Sequence, residues 1–281
     1  MIFMKKVLIC SLAMLLLLPL SSCSIHKKEY SGLTVSFLKV GKADAIVIRT
    51  SDHTVLIDAA NAGEGKEIYE FCSAAGTYTL DYFILTHFDQ DHVGGAKAVI
   101  SKFSDIKNIL EPDYEETNNE NLKYQQAADE KGYVRSKVTS EQSFQLDDAV
   151  FKVYPAMKQT YKSTNDYSLV ITMIYGKKAF LFAGDAENER LGEIMQQLPQ
   201  RKGGYDLVKI PHHGQSEKKT GDFIEFLNPS AAVICCSQKE PADNKMIEIL
   251  DKNKIDTFFT YNGTVTFKCD GYKISVEDQN N

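Results

Sequence analysis

Four residues with metal-binding side chains lie within six positions of the sequence "LTHFDQDHVGG". His87, Asp89, Asp91 and His92 alternate imidazole and carboxylate groups, although the whole chain holds only six histidines. A polar turn that caps a helix needs one aspartate near the helix N-terminus, not four groups of alternating chemistry. Imidazole nitrogens and carboxylate oxygens are the ligands that bind zinc and similar divalent metals in proteins. The pattern therefore favours a metal site over a helix cap.

Two further polar clusters follow predicted strands later in the chain. Asp185 ends the apolar segment "AFLFAGD", and His212 and His213 end "DLVKIPHHG". Alone, such an aspartate is usually a helix cap and such a histidine pair usually lies on the surface. Three clusters that together hold four of the six histidines are better explained by one shared site. Because sites in α/β proteins lie where strands end, we expect the three clusters to meet.

The elements that must position these clusters alternate between strands and helices. Apolar and β-branched segments predict strands at "LTVSFLKV", "DAIVIRT", "HTVLIDA" and "LDYFILTH", and helical spacing predicts helices at "GKEIYEFCSAAG" and "GGAKAVISKF". The second half repeats the alternation, with a hairpin around Gly176 and strands around the turn signals Asn262-Gly263 and Asp270-Gly271. This order predicts one α/β domain of two sheets packed face to face, with helices outside.

The start of the chain has the layout of a secretory leader. Two lysines precede an apolar run from Val7 to Leu20, which is shorter than the roughly 20 residues of a membrane-spanning helix. The following "LSSC" resembles a bacterial lipobox, in which the cysteine is lipidated. We therefore predict a lipoprotein signal peptide over residues 1–22, a tether over 23–32 and a folded domain over 33–277, held at the extracytoplasmic face of the cell membrane by a lipid on Cys23. A plain signal peptide or an uncleaved anchor is the alternative.

The charge of the chain argues against general binding to nucleic acids. The formal net charge is −6, and it becomes −8 once Lys5 and Lys6 leave with the predicted leader. A net acidic protein has no overall attraction for phosphate backbones. Residues 199–220 have the opposite charge balance, with five Lys and Arg against two acids. This basic stretch beside the histidine pair favours an anionic substrate, although a solvated surface is the more common explanation of such a run.

The stretch His87-Phe88-Asp89-Gln90-Asp91-His92 resembles the H-x-H-x-D-H signature of the metallo-β-lactamase superfamily, with Asp89 in place of the middle histidine. The H-x-D-x-D-H variant is similar to the metallohydrolase domain of ComEC-like competence proteins and to surface phosphorylcholine esterases. Further segments resemble the family in the same order, over roughly residues 33 to 277; these are "LKVGKADAIVIRT", "VLIDAA", "NDYSLVITMIYGKKAFLFAGDAENE" and "LVKIPHHG". The resemblance implies an αβ/βα four-layer sandwich with metals in the groove between the two sheets.

The same resemblance implies one or two divalent metal ions, zinc or manganese. The implied ligands are His87 and Asp89 for a first metal, Asp91 and His92 for a second, Asp185 as the bridge, and His212 or His213 as the late histidine. A carboxylate at Asp89 makes manganese more plausible beside zinc. Two histidines of the family pattern are missing, because none lies between His92 and His212 and none follows His213, where only Asp243 is a nearby replacement. One metal or two therefore stays open.

The resemblance further implies a metal-dependent hydrolase, with a phosphodiesterase or nuclease acting outside the cytoplasmic membrane as the first interpretation. Asp91, Asp185 and Lys209 are the expected catalytic residues, with Lys209 neutralising charge on the reacting phosphoryl group. The substrate would be an anionic phosphodiester, either DNA or a phosphorylated surface polymer. A β-lactamase is disfavoured by Asp89 and the missing late histidine. The alternatives are a phosphorylcholine-esterase-like hydrolase of cell-surface polymers and a degenerate surface binding protein without turnover.

Overall fold

The computed structural model describes residues 32–277 of the 281-residue chain. The predicted signal peptide (1–22), Cys23 and all of the tether except Gly32 lie outside the described residues. Between residues 32 and 277, no helix combines the length and the apolar composition that crossing a membrane requires. The lipid anchor at Cys23 therefore stays a prediction.

The described part of the chain contains seventeen strands, seven α-helices and three short 3-10 helices (Thr164–Tyr167, Pro211–Gly214 and Thr260–Asn262). The strands are β1 (Leu33–Phe37), β2 (Ile46–Arg49), β3 (Thr54–Ile57), β4 (Thr79–Leu80), β5 (Tyr82–Ile84), β6 (Asp105–Ile106), β7 (Ile109–Pro112), β8 (Arg135–Val138), β9 (Gln142–Leu146), β10 (Ala149–Tyr154), β11 (Val170–Tyr175), β12 (Lys178–Phe182), β13 (Leu207–Lys209), β14 (Ala231–Ile234), β15 (Asp256–Phe259), β16 (Val265–Cys269) and β17 (Ile274–Val276). The helices are α1 (Gly65–Ala74), α2 (Gln90–Val93), α3 (Ala96–Lys102), α4 (Asn119–Lys131), α5 (Asn188–Gln197), α6 (Thr220–Leu227) and α7 (Asn244–Lys252).

Two large mixed sheets form the centre of the domain. The first has the strand order β17-β16-β1-β2-β3-β5-β7-β8, and the second has the order β15-β14-β13-β12-β11-β10-β9. The apolar side chains between the sheets form one buried cluster that includes Phe37 and Ile84 of the first sheet and Phe151 and Phe182 of the second. Sheets pack face to face in this way when each strand turns alternate side chains towards the shared core.

The outer face of each sheet is covered by helices. Buried residues of α1, α3 and α4, such as Ile68, Val99 and Tyr124, join the outward side chains of the first sheet in a second cluster. Residues of α5, α6 and α7, such as Ile194, Phe223 and Met246, cover the second sheet in a third cluster. The layers are therefore helix, sheet, sheet and helix, and the predicted αβ/βα four-layer sandwich is confirmed.

The two turn signals of the tail connect their strands in different ways. Asp270-Gly271 joins the antiparallel strands β16 and β17 as a hairpin. Asn262-Gly263 instead links β15, at the edge of the second sheet, to β16 in the first sheet. Gly263 has a φ of 156°, a conformation open to glycine, which lets the chain cross between sheets there. Strands thus flank both turn signals as predicted, but only Asp270-Gly271 joins strands that are neighbours in one sheet.

Parallel strands bring the polar clusters to one edge. In the first sheet β3, β5, β7 and β8 run parallel, and in the second β12, β13, β14 and β15 run parallel. The segments after β5, β12 and β13 carry the acids and histidines that the sequence singled out, and the segment after β3 begins with Asp58. Because the carboxyl ends of parallel strands lie at the same edge of a sheet, each sheet delivers its polar residues to one groove.

Candidate metal centre

Four side chains from the three polar clusters meet in the groove, and we call Asp91, His92, Asp185 and His213 the inner cluster. One ligand atom from each lies within 4.8 Å of the others. Asp185 is central, since its Oδ1 lies 3.2 Å from His92 Nε2 and its Oδ2 lies 3.1 Å from His213 Nε2. His213 Nε2 also lies 3.2 Å from Asp91 Oδ2. Residues separated by more than 120 positions in the sequence therefore share one site.

His87 adjoins the inner cluster, and Asp89 lies at its edge. The imidazole centroids of His87 and His92 are 4.1 Å apart, and both rings are completely buried. His87 Nε2 is 4.0 Å from Asp89 Oδ2, and the Asp89 side chain keeps 35% of its surface exposed. The predicted pairing of His87 with Asp89 is thus looser than the contacts around Asp185.

The helix-cap explanation is not supported at either aspartate. Asp89 stands at the N-cap of α2, yet its side chain accepts no capping hydrogen bond within the described segment. Asp185 precedes α5 by three residues, and Glu187 is the N-cap of that helix. The Asp185 carboxylate instead faces His92, His213 and Lys209.

Each buried histidine is held through Nδ1. His92 Nδ1 lies 2.8 Å from Asp58 Oδ2, His213 Nδ1 lies 2.8 Å from the carbonyl of Cys235, and His87 Nδ1 lies 3.1 Å from Thr86 Oγ1. The three Nε2 atoms are inaccessible to solvent and have no hydrogen-bond partner among residues 32–277, although two of them closely approach carboxylates. Metal-binding histidines show this arrangement, with one nitrogen held by the protein and the other free for the ion. The donor set and its unpaired nitrogens fit a divalent metal.

Asp58 and Asp44 are buried site residues that sequence reasoning missed. Asp58 accepts hydrogen bonds from the backbone N–H and the hydroxyl of Thr86, both at 2.7 Å, besides its contact with His92. Asp44 is 1% exposed, and its Oδ1 lies 3.6 Å from His213 Nδ1. Both residues lie in segments that resemble the family, and Asp58 follows β3 as His87 follows β5. An acid at the end of a buried strand was the signal that could have identified Asp58.

The role predicted for Lys209 needs correction. Its side chain is completely buried at the end of β13, and its ammonium donates to the carbonyl of Gly184 at 2.8 Å and to Asp185 Oδ1 at 3.2 Å. A third contact is an ion pair with Asp44. Because an ammonium has three donors, these partners use all of them, and none faces a substrate. Lys209 therefore positions Asp44 and Asp185 instead of contacting a phosphoryl group.

The basic stretch of residues 199–220 keeps most of its charge at the surface, where Lys202 and Lys218 are exposed. Lys209 is the exception, because it is buried in the site, and the guanidinium of Arg201 packs over the ring of Tyr205 at 5.6 Å. Asp243, the proposed substitute for a late histidine, accepts hydrogen bonds from the N–H and hydroxyl of Ser216 at 2.8 and 3.1 Å. Asp243 is absent from every group of metal-binding geometry in the described residues.

Protonation differs sharply between the buried histidines. Burial, followed by the neighbouring His92, lowers the pKa of His87 to about 4. Burial also lowers the pKa of His213, but the carboxylates of Asp185 and Asp91 outweigh it and raise the value to about 9. The pKa of Asp185 lies well below its usual range, because His213, His92 and Lys209 outweigh its burial. A metal entering this site must therefore displace protons from histidine.

His212 lies on a different side of the turn from His213. Both residues adopt left-handed backbone conformations, with φ of 50° and 52°, so neighbouring side chains diverge. His212 Nδ1 lies 3.5 Å from Glu187 Oε1, and with Glu217 these residues form a second compact group. We call Glu187, His212 and Glu217 the outer cluster. The geometry thus assigns His213, of the two candidates, to the inner cluster.

Comparison with known proteins agrees with this arrangement. The family model for the metallo-β-lactamase superfamily matches residues 38–238. The chain is 30% identical to ComE operon protein 3 of Bacillus subtilis over 207 residues, which cover 72% of this chain and 26% of that protein. It is 24% identical to Competence protein ComA of Neisseria gonorrhoeae, over 71% of this chain and 26% of that protein. The chain thus spans about a quarter of the length of these relatives.

Solved structures share the fold at low sequence identity. Igni18, a metallo hydrolase from Ignicoccus hospitalis, matches with a TM-score of 0.55 and 16% identity, over 84% of this chain and 99% of that one. The metallo-β-lactamase fold protein YhfI from Bacillus subtilis matches with a TM-score of 0.55 and 10% identity, over 84% and 100% of the two chains. The chain therefore belongs to the metallo-β-lactamase superfamily and is a hydrolase of that fold with competence-protein relatives.

Proposed function

We propose that the protein is a metal-dependent phosphodiesterase that cleaves DNA strands. The observation that carries the proposal is the convergence of the inner cluster, in which ligand atoms of two imidazoles and two carboxylates lie within 4.8 Å of one another. The Nε2 atoms of His92 and His213 face Asp185 at 3.2 and 3.1 Å, and the buried Nε2 of the adjoining His87 has no hydrogen-bond partner in the described domain. Imidazole nitrogens and carboxylate oxygens grouped in this way are the donor set that binds a divalent ion.

The residues of the groove fall into two groups: those that would bind the metal and those that orient the metal ligands. His87, His92, His213, Asp91 and Asp185 would bind one or two ions, zinc or manganese, with Asp89 completing the shell beside His87. When bound, such an ion lowers the pKa of a water ligand to about 7 and offers positive charge to phosphoryl oxygens. Asp58 fixes the orientation of His92, and Lys209 fixes that of Asp185. The site is thus prearranged by hydrogen bonds that do not involve the substrate.

The choice of DNA is supported by the relatives and by the open side of the groove. One relative is named Competence protein ComA, and another, from Haemophilus influenzae, is named Recombination protein 2. A cavity open to solvent adjoins the inner cluster, lined by Asp89, Gln90, Asp91 and the segment 117–120. Its acidic lining suits a polyanion only when metal is bound, because the ions reverse the local charge.

Hydrolysis of bis-p-nitrophenyl phosphate and of single-stranded DNA tests the proposal. Wild-type protein loaded with Mn²⁺ or Zn²⁺ should cleave both, and Asp185→Asn should lose more than about 100-fold in kcat/KM, because it removes the charge of the central carboxylate. Asp243→Asn, which changes an exposed carboxylate outside the inner cluster, should retain activity. Preferential cleavage of p-nitrophenyl phosphorylcholine would favour the esterase alternative. Metal binding without cleavage of any of these substrates would favour the binding-protein alternative.

We further propose that the protein works at the extracytoplasmic membrane face, attached through Cys23. The support is the leader-like start and the "LSSC" segment of the sequence. Cys23→Ala should abolish lipid labelling and should leave the protein either released or uncleaved. If the Cys23→Ala protein is processed and partitions into membranes as the parent does, the lipid anchor is wrong.

A further inference from the structure

The outer cluster lies beside the inner cluster but faces a different way. Its three ligand atoms, one each from Glu187, His212 and Glu217, lie within 4.8 Å of one another. Ligand atoms that surround one divalent ion at about 2.0–2.6 Å are separated by such distances. The side chains of His212 and Glu187 are 16% and 23% exposed, so the group is reached from solvent yet largely enclosed.

Negative charge is concentrated in the outer cluster. Burial, followed by the charges of Glu187, Asp166 and Asp243, raises the pKa of Glu217. His212 Nδ1 lies 3.5 Å from Glu187 Oε1, and Glu217 completes the group. Two carboxylates and an imidazole whose ligand atoms lie this close together form an arrangement that a cation stabilises.

Asn165 supplies an independent sign of a missing ligand. This residue is only 8% exposed, and its amide reaches into the outer cluster, where Nδ2 donates to Glu187 Oε1 at 2.8 Å and lies 3.4 Å from His212 Nε2. Its Oδ1 has no hydrogen-bond partner in the part of the chain that the structure describes, and neither has Nδ1 of His212. Exchanging the amide nitrogen and oxygen, which gives up the hydrogen bond to Glu187, places the oxygen beside His212 and Glu187, where it can serve as a further cation ligand. This exchange gives the buried oxygen the partner that it lacks.

We propose that the outer cluster binds a hydrated divalent cation, separate from the metals of the inner cluster. Glu187, Glu217 and Asn165 would supply oxygen ligands and His212 a nitrogen. Mostly oxygen donors favour a hard ion such as Mn²⁺, with water filling the remaining positions. Because Glu187 is two residues from Asp185 and His212 precedes His213, this ion adds positive charge beside the inner cluster, whatever the substrate is.

The proposal is tested by titrating the metal-free protein with Mn²⁺. The electron paramagnetic resonance signal of free Mn²⁺ reports how many ions each chain binds. Glu217→Gln should bind one Mn²⁺ fewer per chain than the wild type, should lose only the weakest binding class and should keep the melting temperature of the metal-free state. Glu187→Gln should lose the same class. Asp243→Asn is the matched control, since it removes a neighbouring charge that lies outside the cluster, and it should bind as many ions as the wild type.

Two results would overturn the outer site. The first is an equal number of bound Mn²⁺ ions in the wild type, Glu217→Gln and Glu187→Gln. The second is a loss confined to the tightest binding class, which would assign the effect to the inner cluster. Loss of one ion in Asp243→Asn as well would also contradict the proposal, because general charge would then explain the binding.

Discussion

The inner and outer clusters are built from neighbouring residues yet have different surroundings. Asp185 and His213 belong to the inner cluster, and Glu187 and His212 to the outer one. The inner histidines are completely buried or nearly so, and each is held through Nδ1 by a neighbour in the protein. His212 is half-buried, and its Nδ1 has no hydrogen-bond partner within residues 32–277. The residues that hold a ligand in place, more than the ligand types, therefore distinguish a preformed metal centre from an accessory site.

The same difference predicts how tightly each cluster binds metal. In the buried groove water screens charges only weakly, so an ion is attracted strongly by the carboxylate of Asp185. At the outer cluster, which solvent reaches, water and salt weaken the same attraction. We therefore expect tight binding at the inner cluster and weak, exchangeable binding at the outer one.

The largest expected effect on activity comes from substituting each histidine of the pair His212-His213 in turn. His213→Ala should lower kcat/KM by more than about 100-fold and should remove a tightly bound ion, because it deletes a buried ligand. His212→Ala should lower kcat/KM by less than about tenfold and should leave the tight class intact. Steady-state kinetics with metal analysis of both variants checks this contrast. Equal losses in the two variants would mean that the histidines serve one site.

A second prediction concerns the support behind the inner carboxylates. Lys209→Met should destabilise the fold by about 3–5 kcal/mol, because it leaves the buried carboxylates of Asp44 and Asp185 without their cation. Lys219→Met, which alters a lysine beside the outer cluster, should change the free energy of unfolding by less than about 0.5 kcal/mol. Urea unfolding of the metal-free proteins measures both. A Lys209→Met variant as stable as the wild type would disprove the supporting role.

A third prediction uses pH to distinguish the two clusters. In the metal-free protein the pKa of His213 is about 9, so at pH 7 an ion must displace its proton. Raising the pH from 7 to 8 should therefore strengthen binding at the inner cluster by about tenfold for each proton displaced. The pKa of His212 is lowered, so its imidazole is already free and the outer cluster should change little. Metal titrations at the two pH values compare the slopes, and equal slopes would contradict the assignment.

The fold and the inner cluster could be predicted to the extent that their signals are local or lie at strand ends. The segment 87–92 is contiguous, so its residue types alone predicted a metal site. Asp185 could be identified because it follows an apolar segment that predicts a strand. Lys209 could not be understood this way, because a lysine in a basic stretch gives no sign of being buried between Asp44 and Asp185. The division of His212 from His213 depends on the backbone of a single turn, and the crossing at Gly263 depends on which sheet each strand joins. Such features are set by tertiary packing and not by local pattern.

The metal content of purified protein, measured with and without chelator, decides whether the inner cluster binds a divalent metal. The wild type should hold tightly bound divalent metal, should lose it to chelator and should then melt at a lower temperature. The reason is that an ion bound only by the folded state stabilises that state, by about 2.7 kcal/mol when the free ion concentration is 100 times the dissociation constant. His87→Ala should lose the tight metal and nearly all hydrolysis. In the wild type the imidazole of His53 lies outside the groove and contacts Asp147 at 3.3 Å, so His53→Ala should behave as the wild type. A wild-type protein that holds no metal, and whose melting temperature neither chelator nor His87→Ala alters, would contradict the metal centre.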